Sequence, residues 1–93
     1  MSFFVYIIQN PEGILYIGHT SNISLRMERH NQGKARWTRS RGPWSLVYSE
    51  RFLSRSEAMA KESGLKALKS KEALHRLIAQ WQSPDLSGLT GGS

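Results

Sequence analysis

The sequence predicts an α+β fold, a three-stranded antiparallel sheet flanked by three helices in the order β-β-α-β-α-α. Three observations carry that expectation. Phe3 to Gly18, FFVYIIQNPEGILYIG, is two apolar runs around a single turn signal. Trp44 to Phe52, WSLVYSERF, has strand alternation, with Trp44, Leu46, Tyr48 and Phe52 on one face and Ser45, Ser49 and Arg51 on the other. Behind it come two helix signatures: the capping box Ser54-Arg55-Ser56-Glu57, and an apolar stripe of Leu74, Leu77, Ile78 and Trp81. A small sheet with helices packed on it buries all of these apolar faces.

The chain bounds set the scale. Its 93 residues make one domain with a small core, spanning 1–82, followed by a Gly- and Ser-rich tail, 83–93, expected to be flexible. Hydrophobic content of 39% and charged content of 22% are those of a globular protein. There is no cysteine, which excludes disulfides and thiolate metal sites and suits a reducing cytoplasm. The N-terminus has no basic region and enters the first strand directly, so neither a signal peptide nor a membrane segment is expected. The net charge of +6 and pI near 10.2 favour a polyanionic partner, nucleic acid ahead of a membrane surface. The charge is uneven: Arg26 to Arg55 holds eight Lys or Arg against two acids.

Asn10-Pro11-Glu12-Gly13 has the residue order of a type I turn. Such a turn suits a three-residue hairpin loop whose last residue is left-handed, a role open to Gly13. Asn10 then pairs with Ile14, Tyr6 with Gly18 and Ile8 with Tyr16. Both tyrosines share one face as diagonal neighbours about 7–8 Å apart, with Gly18 leaving space beside Tyr6. They serve either as ordinary tyrosines at the sheet margin or as half of an active site.

Asn22 is a good N-cap for a first helix from Ile23 to Asn31 or Gln32, ended by a left-handed Gly33. Arg26 and His30 are four apart and share a face beside the Ile23 and Met27 stripe. That pair is either a solvated flank or a site that binds phosphate and handles protons. The segment GKARWTRSRGP places Lys34, Arg36, Arg39 and Arg41 around Trp37 with no acid. Basic residues interleaved with an aromatic suit a surface that tracks a nucleic-acid backbone and stacks one base. Equally, a buried Trp can anchor a solvated loop.

In the second helix Glu57 is committed to the cap. Glu62 points near the apolar face, where a carboxylate must be paired or bind a cation, and Lys66 stands at i+4 to pair with it. Ser70 caps the last helix, His75 lies off its stripe, and Trp81 is core or a partner-docking residue.

Together these residues resemble the GIY-YIG nuclease superfamily. Tyr16-Ile17-Gly18 matches the second half of the name motif, and Phe4-Val5-Tyr6 stands in the place of its first half, keeping the Tyr and losing the Gly. Arg26 and His30 match the Arg and His of the family's first helix, and Glu62 its downstream helical Glu. The segments LYIGHTSNISLRMERHNQG and LVYSERFLSRSEAMAKESGLKAL are most similar to small stand-alone members, relatives of the nuclease domains in the nucleotide-excision nuclease and in structure-selective nucleases. The Asn found near the end of some family members has no clear match. The resemblance implies a metal-dependent DNA endonuclease, structure-selective rather than sequence-reading, acting in repair or recombination. It implies one Mg²⁺ or Mn²⁺ ion on Glu62 and no small-molecule cofactor. Arg26 would neutralise transition-state charge, and Tyr6 or Tyr16 would take the proton of the attacking water, its pKa lowered by Arg26, the metal and His30. The alternative is a catalytically weak or inactive nucleic-acid-binding module working with a partner nuclease or helicase. A protein partner is compatible with both.

Overall fold

The computed structural model describes residues 2–35, 37–68 and 70–82. Arg36 and the tail 83–93 lie outside the described residues. The elements are β1 (Phe3–Gln9), β2 (Leu15–Thr20), α1 (Ile23–Asn31), β3 (Ser45–Phe52), α2 (Arg55–Ala67) and α3 (Lys71–Gln82). The antiparallel sheet has the order β2-β1-β3. The element order and the α+β class are those the sequence predicts.

The hairpin forms as its turn chemistry dictates. The Asn10 amide donates to the Ile14 carbonyl at 3.1 Å, the Gly13 amide donates to the Asn10 carbonyl at 3.0 Å, and Gly13 has φ +86°. Asn10 Oδ1 accepts from the Glu12 and Ile14 amides at 3.0 and 2.8 Å. Tyr6 therefore faces Gly18, and Ile8 faces Tyr16. β2 runs past Gly18 to His19 and Thr20.

β1 is the central strand and is buried on both sides, so its alternate residues feed two separate clusters. Val5 and Ile7 join Ile17, Val47, Tyr48 and residues of α2 and α3: Ala58, Leu65, Leu74 and Ile78. Tyr6 and Ile8 join Trp44, with Tyr16, Leu46 and Met27 of α1 packed against them. The sheet thus separates a structural layer, α2 and α3, from a layer made of α1 and the 32–44 loop.

One expectation fails in β3. Trp44, Leu46, Tyr48 and Phe52 do not share a face. The register shifts between Ile7, opposite Tyr48, and Ile8, opposite Leu46, leaving Val47 as the extra residue of a bulge. Trp44 and Leu46 pack with Tyr6, whereas Tyr48 and Phe52 pack with the α2–α3 core.

The helix ends follow their signals. Asn22 Oδ1 accepts from the Leu25 amide at 3.0 Å, Gly33 has φ +75°, and Ser54 Oγ accepts from the Glu57 amide at 3.2 Å. Ser70 Oγ accepts from the Ala73 amide at 3.3 Å. Leu74 and Ile78 of α3 are buried, but Trp81 is 42% exposed, one turn beyond the last buried residue, so it is not core. Among the described residues no helix is long and apolar enough to cross a membrane.

Candidate active site

The site is assembled at the β2 edge of the sheet. From β1 comes Tyr6, from β2 Tyr16, Gly18 and His19, from α1 Arg26 and His30, and from α2 Glu62. Local rules place each one. Hairpin register puts both tyrosines on the α1 face, with ring centroids 6.4 Å apart. Helical spacing turns Arg26 and His30 toward them, and His30 is the buried residue of α1.

The centre is a buried chain of polar groups. Tyr6 Oη lies 2.9 Å from His30 Nε2, and His30 Nδ1 lies 2.7 Å from Thr38 Oγ1. Tyr6, His30 and Thr38 are 1%, 2% and 1% exposed. The Tyr16 ring meets the His30 ring edge-on at 5.1 Å. The Tyr6 hydroxyl occupies the space over Gly18: a Cβ built there would stand 2.6 Å from Tyr6 Oη and 2.8 Å from Cζ.

The electrostatics differ from the sequence expectation for Tyr6. Burial, and then the neighbouring Tyr16, push the Tyr6 phenol above its ordinary value; the Arg26 guanidinium beside it pulls the other way without prevailing. Tyr6 is therefore a neutral phenol with a hydrogen-bonded acceptor, not a preformed phenolate. The His30 imidazole is pushed below its ordinary value by burial and then by the positive charges of Arg26 and Arg29. It is neutral, and so able to accept a proton.

Glu62 reaches the same edge from the opposite layer. Its Oε1 accepts from His19 Nδ1 at 2.5 Å and its Oε2 accepts from the Lys66 ammonium at 2.7 Å, with the side chain 16% exposed. Burial raises its pKa, but the hydrogen bonds from Lys66 and His19 outweigh this and hold the carboxyl below its ordinary value. Of the two sequence readings of Glu62, the pair with Lys66 is formed, and the carboxylate is ionised. Among the described residues no cluster of three or more His, Cys, Asp or Glu could hold a metal. A lone ionised carboxylate already attracting a cation does suit Mg²⁺, which commonly binds through one or two carboxylates, water and substrate phosphate.

The basic loop is fastened to this centre. Lys34, Arg39 and Arg41 are exposed. Trp37, 48% exposed, stacks with Tyr16 at 5.6 Å and carries the Arg41 guanidinium 4.7 Å above its ring. The buried anchor of the loop is Trp44, whose Nε1–H donates to the Thr38 carbonyl at 3.0 Å. Asn10 Nδ2 donates to the Arg41 carbonyl at 3.0 Å, so the hairpin turn also holds the loop.

Sequence reasoning missed His19 and Thr38. His19 follows Gly18 directly, and once β2 extends to Thr20 alternation turns it to the α2 face, toward Glu62. Thr38 carries no periodic signal, and only the folded loop brings it to His30.

Comparison with known proteins shows what the chain is similar to. Residues 2–75 match the family model described as the GIY-YIG catalytic domain. The chain is 39% identical over 80 residues to a UPF0213 protein of Oceanobacillus iheyensis, covering 85% of this chain and 93% of that protein. It is 42% identical over 72 residues to a UPF0213 protein of Staphylococcus haemolyticus, covering 76% and 88%. Among solved structures it is similar to the solution NMR structure of a UPF0213 protein of Bacillus halodurans, with 36% identity, a TM-score of 0.59 and coverage of 90% and 89%. A protein from E. faecalis has 31% identity, a TM-score of 0.57 and coverage of 83% of each chain.

Proposed function

Because this chain belongs to the GIY-YIG catalytic domain family, we propose that it is a metal-dependent endonuclease that hydrolyses phosphodiester bonds in DNA. The observation that carries the reading is the Tyr6–His30 hydrogen bond at 2.9 Å, set beside Arg26 and the ionised Glu62. A neutral tyrosine backed by a neutral imidazole can pass a proton on. As the water oxygen bonds to phosphorus, its proton goes to the Tyr6 oxygen and the Tyr6 proton goes to His30 Nε2. The bond from phosphorus to the 3′ oxygen breaks, the departing 3′ oxygen takes a proton from solvent, and a 5′ phosphate and a 3′ hydroxyl result.

Tyr6 is assigned this role because an acceptor stands behind its hydroxyl. Tyr16, the more exposed of the two, orients the phosphate. Arg26 offsets the charge that builds on the phosphate oxygens. Glu62, steadied by His19, would hold one Mg²⁺ or Mn²⁺, which when bound polarises the phosphate and stabilises the leaving oxygen. Lys34, Arg36, Arg39 and Arg41, with Trp37, bind the DNA backbone and an adjacent base. In this reading it is a structure-selective enzyme of repair or recombination in the cytoplasm, acting with a protein partner.

The test is cleavage of branched, flapped and single-stranded DNA with Mg²⁺ or Mn²⁺, comparing the wild type with Glu62→Ala. Metal-dependent cutting lost in Glu62→Ala, with DNA binding retained, is expected. Binding by the wild type without cleavage of any substrate would instead identify a nucleic-acid-binding module.

A further inference from the structure

We propose that Thr38 is a positioning residue whose hydroxyl fixes the Nδ1–H tautomer of His30, leaving a bare Nε2 to accept the proton of Tyr6. For the reaction this rests on the nuclease reading; for the tautomer it does not.

A neutral imidazole has one N–H, so the ring donates one of its two hydrogen bonds and accepts the other. Tyr6 decides which. Arg26, which lies beside the same hydroxyl, only donates. The phenol proton therefore goes to His30 Nε2, at 2.9 Å, and the ring proton lies on Nδ1, donated to Thr38 Oγ1 at 2.7 Å. Thr38 in turn directs its own proton to the Ala35 carbonyl, 3.5 Å away. In the opposite arrangement Nε2–H would point at the Tyr6 oxygen, and the phenol proton would be buried without an acceptor, which is costly. Burial of the ring beside Arg26 and Arg29 keeps it neutral in the resting state, as tautomer selection requires. When the Tyr6 proton arrives at Nε2, the imidazolium donates from both nitrogens, to Tyr6 and to Thr38, and no side chain has to move.

Thr38 can act in this way because the loop holds it. Its carbonyl accepts from Trp44 Nε1 at 3.0 Å and from the Arg41 amide at 3.1 Å. Asn31 clamps the Trp44 backbone, its Oδ1 accepting from the amide at 2.7 Å and its Nδ2 donating to the carbonyl at 3.1 Å. The segment that bears the exposed cations thus also sets the proton acceptor.

The experiment pairs long-range proton–nitrogen correlation spectra of the histidine rings, recorded on the full chain without metal or DNA, with cleavage kinetics. Wild type, Thr38→Val and Thr38→Ser are compared. In the wild type, His30 is expected to carry its proton on Nδ1. Thr38→Val, which keeps the shape and removes the hydroxyl, should move population to the Nε2–H form. It should also lower kcat by at least about 10-fold at unchanged KM, a part of the roughly 10²–10⁴-fold that positioned proton transfer contributes. Thr38→Ser should recover both. A wild-type His30 protonated on Nε2 overturns the proposal, whether or not Thr38→Val folds, and so does an unchanged tautomer in a folded Thr38→Val. If the tautomer behaves as expected but the wild type cuts no DNA, the nuclease reading fails and the role of Thr38 in the tautomer stands.

Discussion

The Tyr6 hydroxyl and the His30 Nε2 are 2.9 Å apart, and burial drives their pKa values in opposite directions, the phenol up and the imidazole down. Each group is thereby kept neutral, one holding a proton and the other free to receive it. Tyr6→Phe removes the transferred proton while keeping the ring. It should lower kcat by about 10²–10⁴-fold with DNA binding intact. Single-turnover cleavage and a binding titration on the same substrate separate the two effects.

The depressed His30 pKa gives a signed pH dependence. Below the ordinary histidine value of 6.5 the unfolded chain takes up a proton on this residue before the folded chain does. Its contribution to stability is therefore fully present above pH 6.5 and is lost as pH falls toward and through the folded value. The acidic limb of kcat/KM should likewise lie below 6.5. His30→Asn should flatten both profiles, read by urea denaturation and by initial rates across roughly pH 5–8. Burial of the ring sets the direction, and the positive charges of Arg26 and Arg29 on α1 add to it.

His19 holds Glu62 Oε1 at 2.5 Å, so loosening that bond should weaken the proposed metal site without emptying it. His19→Ala is expected to raise the Mg²⁺ concentration needed for half-maximal cleavage by about 10–100-fold. A Mg²⁺ titration of activity checks this, and an unchanged midpoint would remove His19 from the site.

Gly18→Ala should be more harmful than a surface glycine substitution. Its Cβ would meet Tyr6 Oη at 2.6 Å, and the buried tyrosine has nowhere to turn. A loss of about 1–3 kcal/mol of stability is expected, together with loss of cleavage. Chemical denaturation measures the first and the standard assay the second.

Charge reversal at Arg39 and Arg41, both exposed, should weaken DNA binding at every sequence. It should also reduce the slope of log K against log salt by roughly one for each phosphate contact removed. An unchanged slope would locate the DNA surface elsewhere.

The hairpin was legible in the sequence because the turn residues settle its register and a one-residue slip would reverse both tyrosines. Arg26 and His30 were legible because helical spacing is local, and Glu62 because a carboxylate near an apolar face demands a partner. The face of Trp44 and Leu46 was not. The bulge at Val47 is marked by neither glycine nor proline, and it inverts the alternation that the strand pattern assumes. His19 and Thr38 were missed for a related reason. Their meaning lies in contacts 43 and eight residues away along the chain, and no spacing rule reaches across a sheet edge or an aperiodic loop.

The two-sided burial of β1 also governs how this chain can diverge. Val5 and Ile7 pack into the core with Leu65, Leu74 and Ile78 of α2 and α3, while Val5 also stands opposite His19 of the site. Tyr6 and Ile8 pack on the other side, with Tyr16 of the site and the loop anchor Trp44 among their neighbours. A single strand thus answers to two different constraints, core packing and the His19 edge on one side and the tyrosine site on the other.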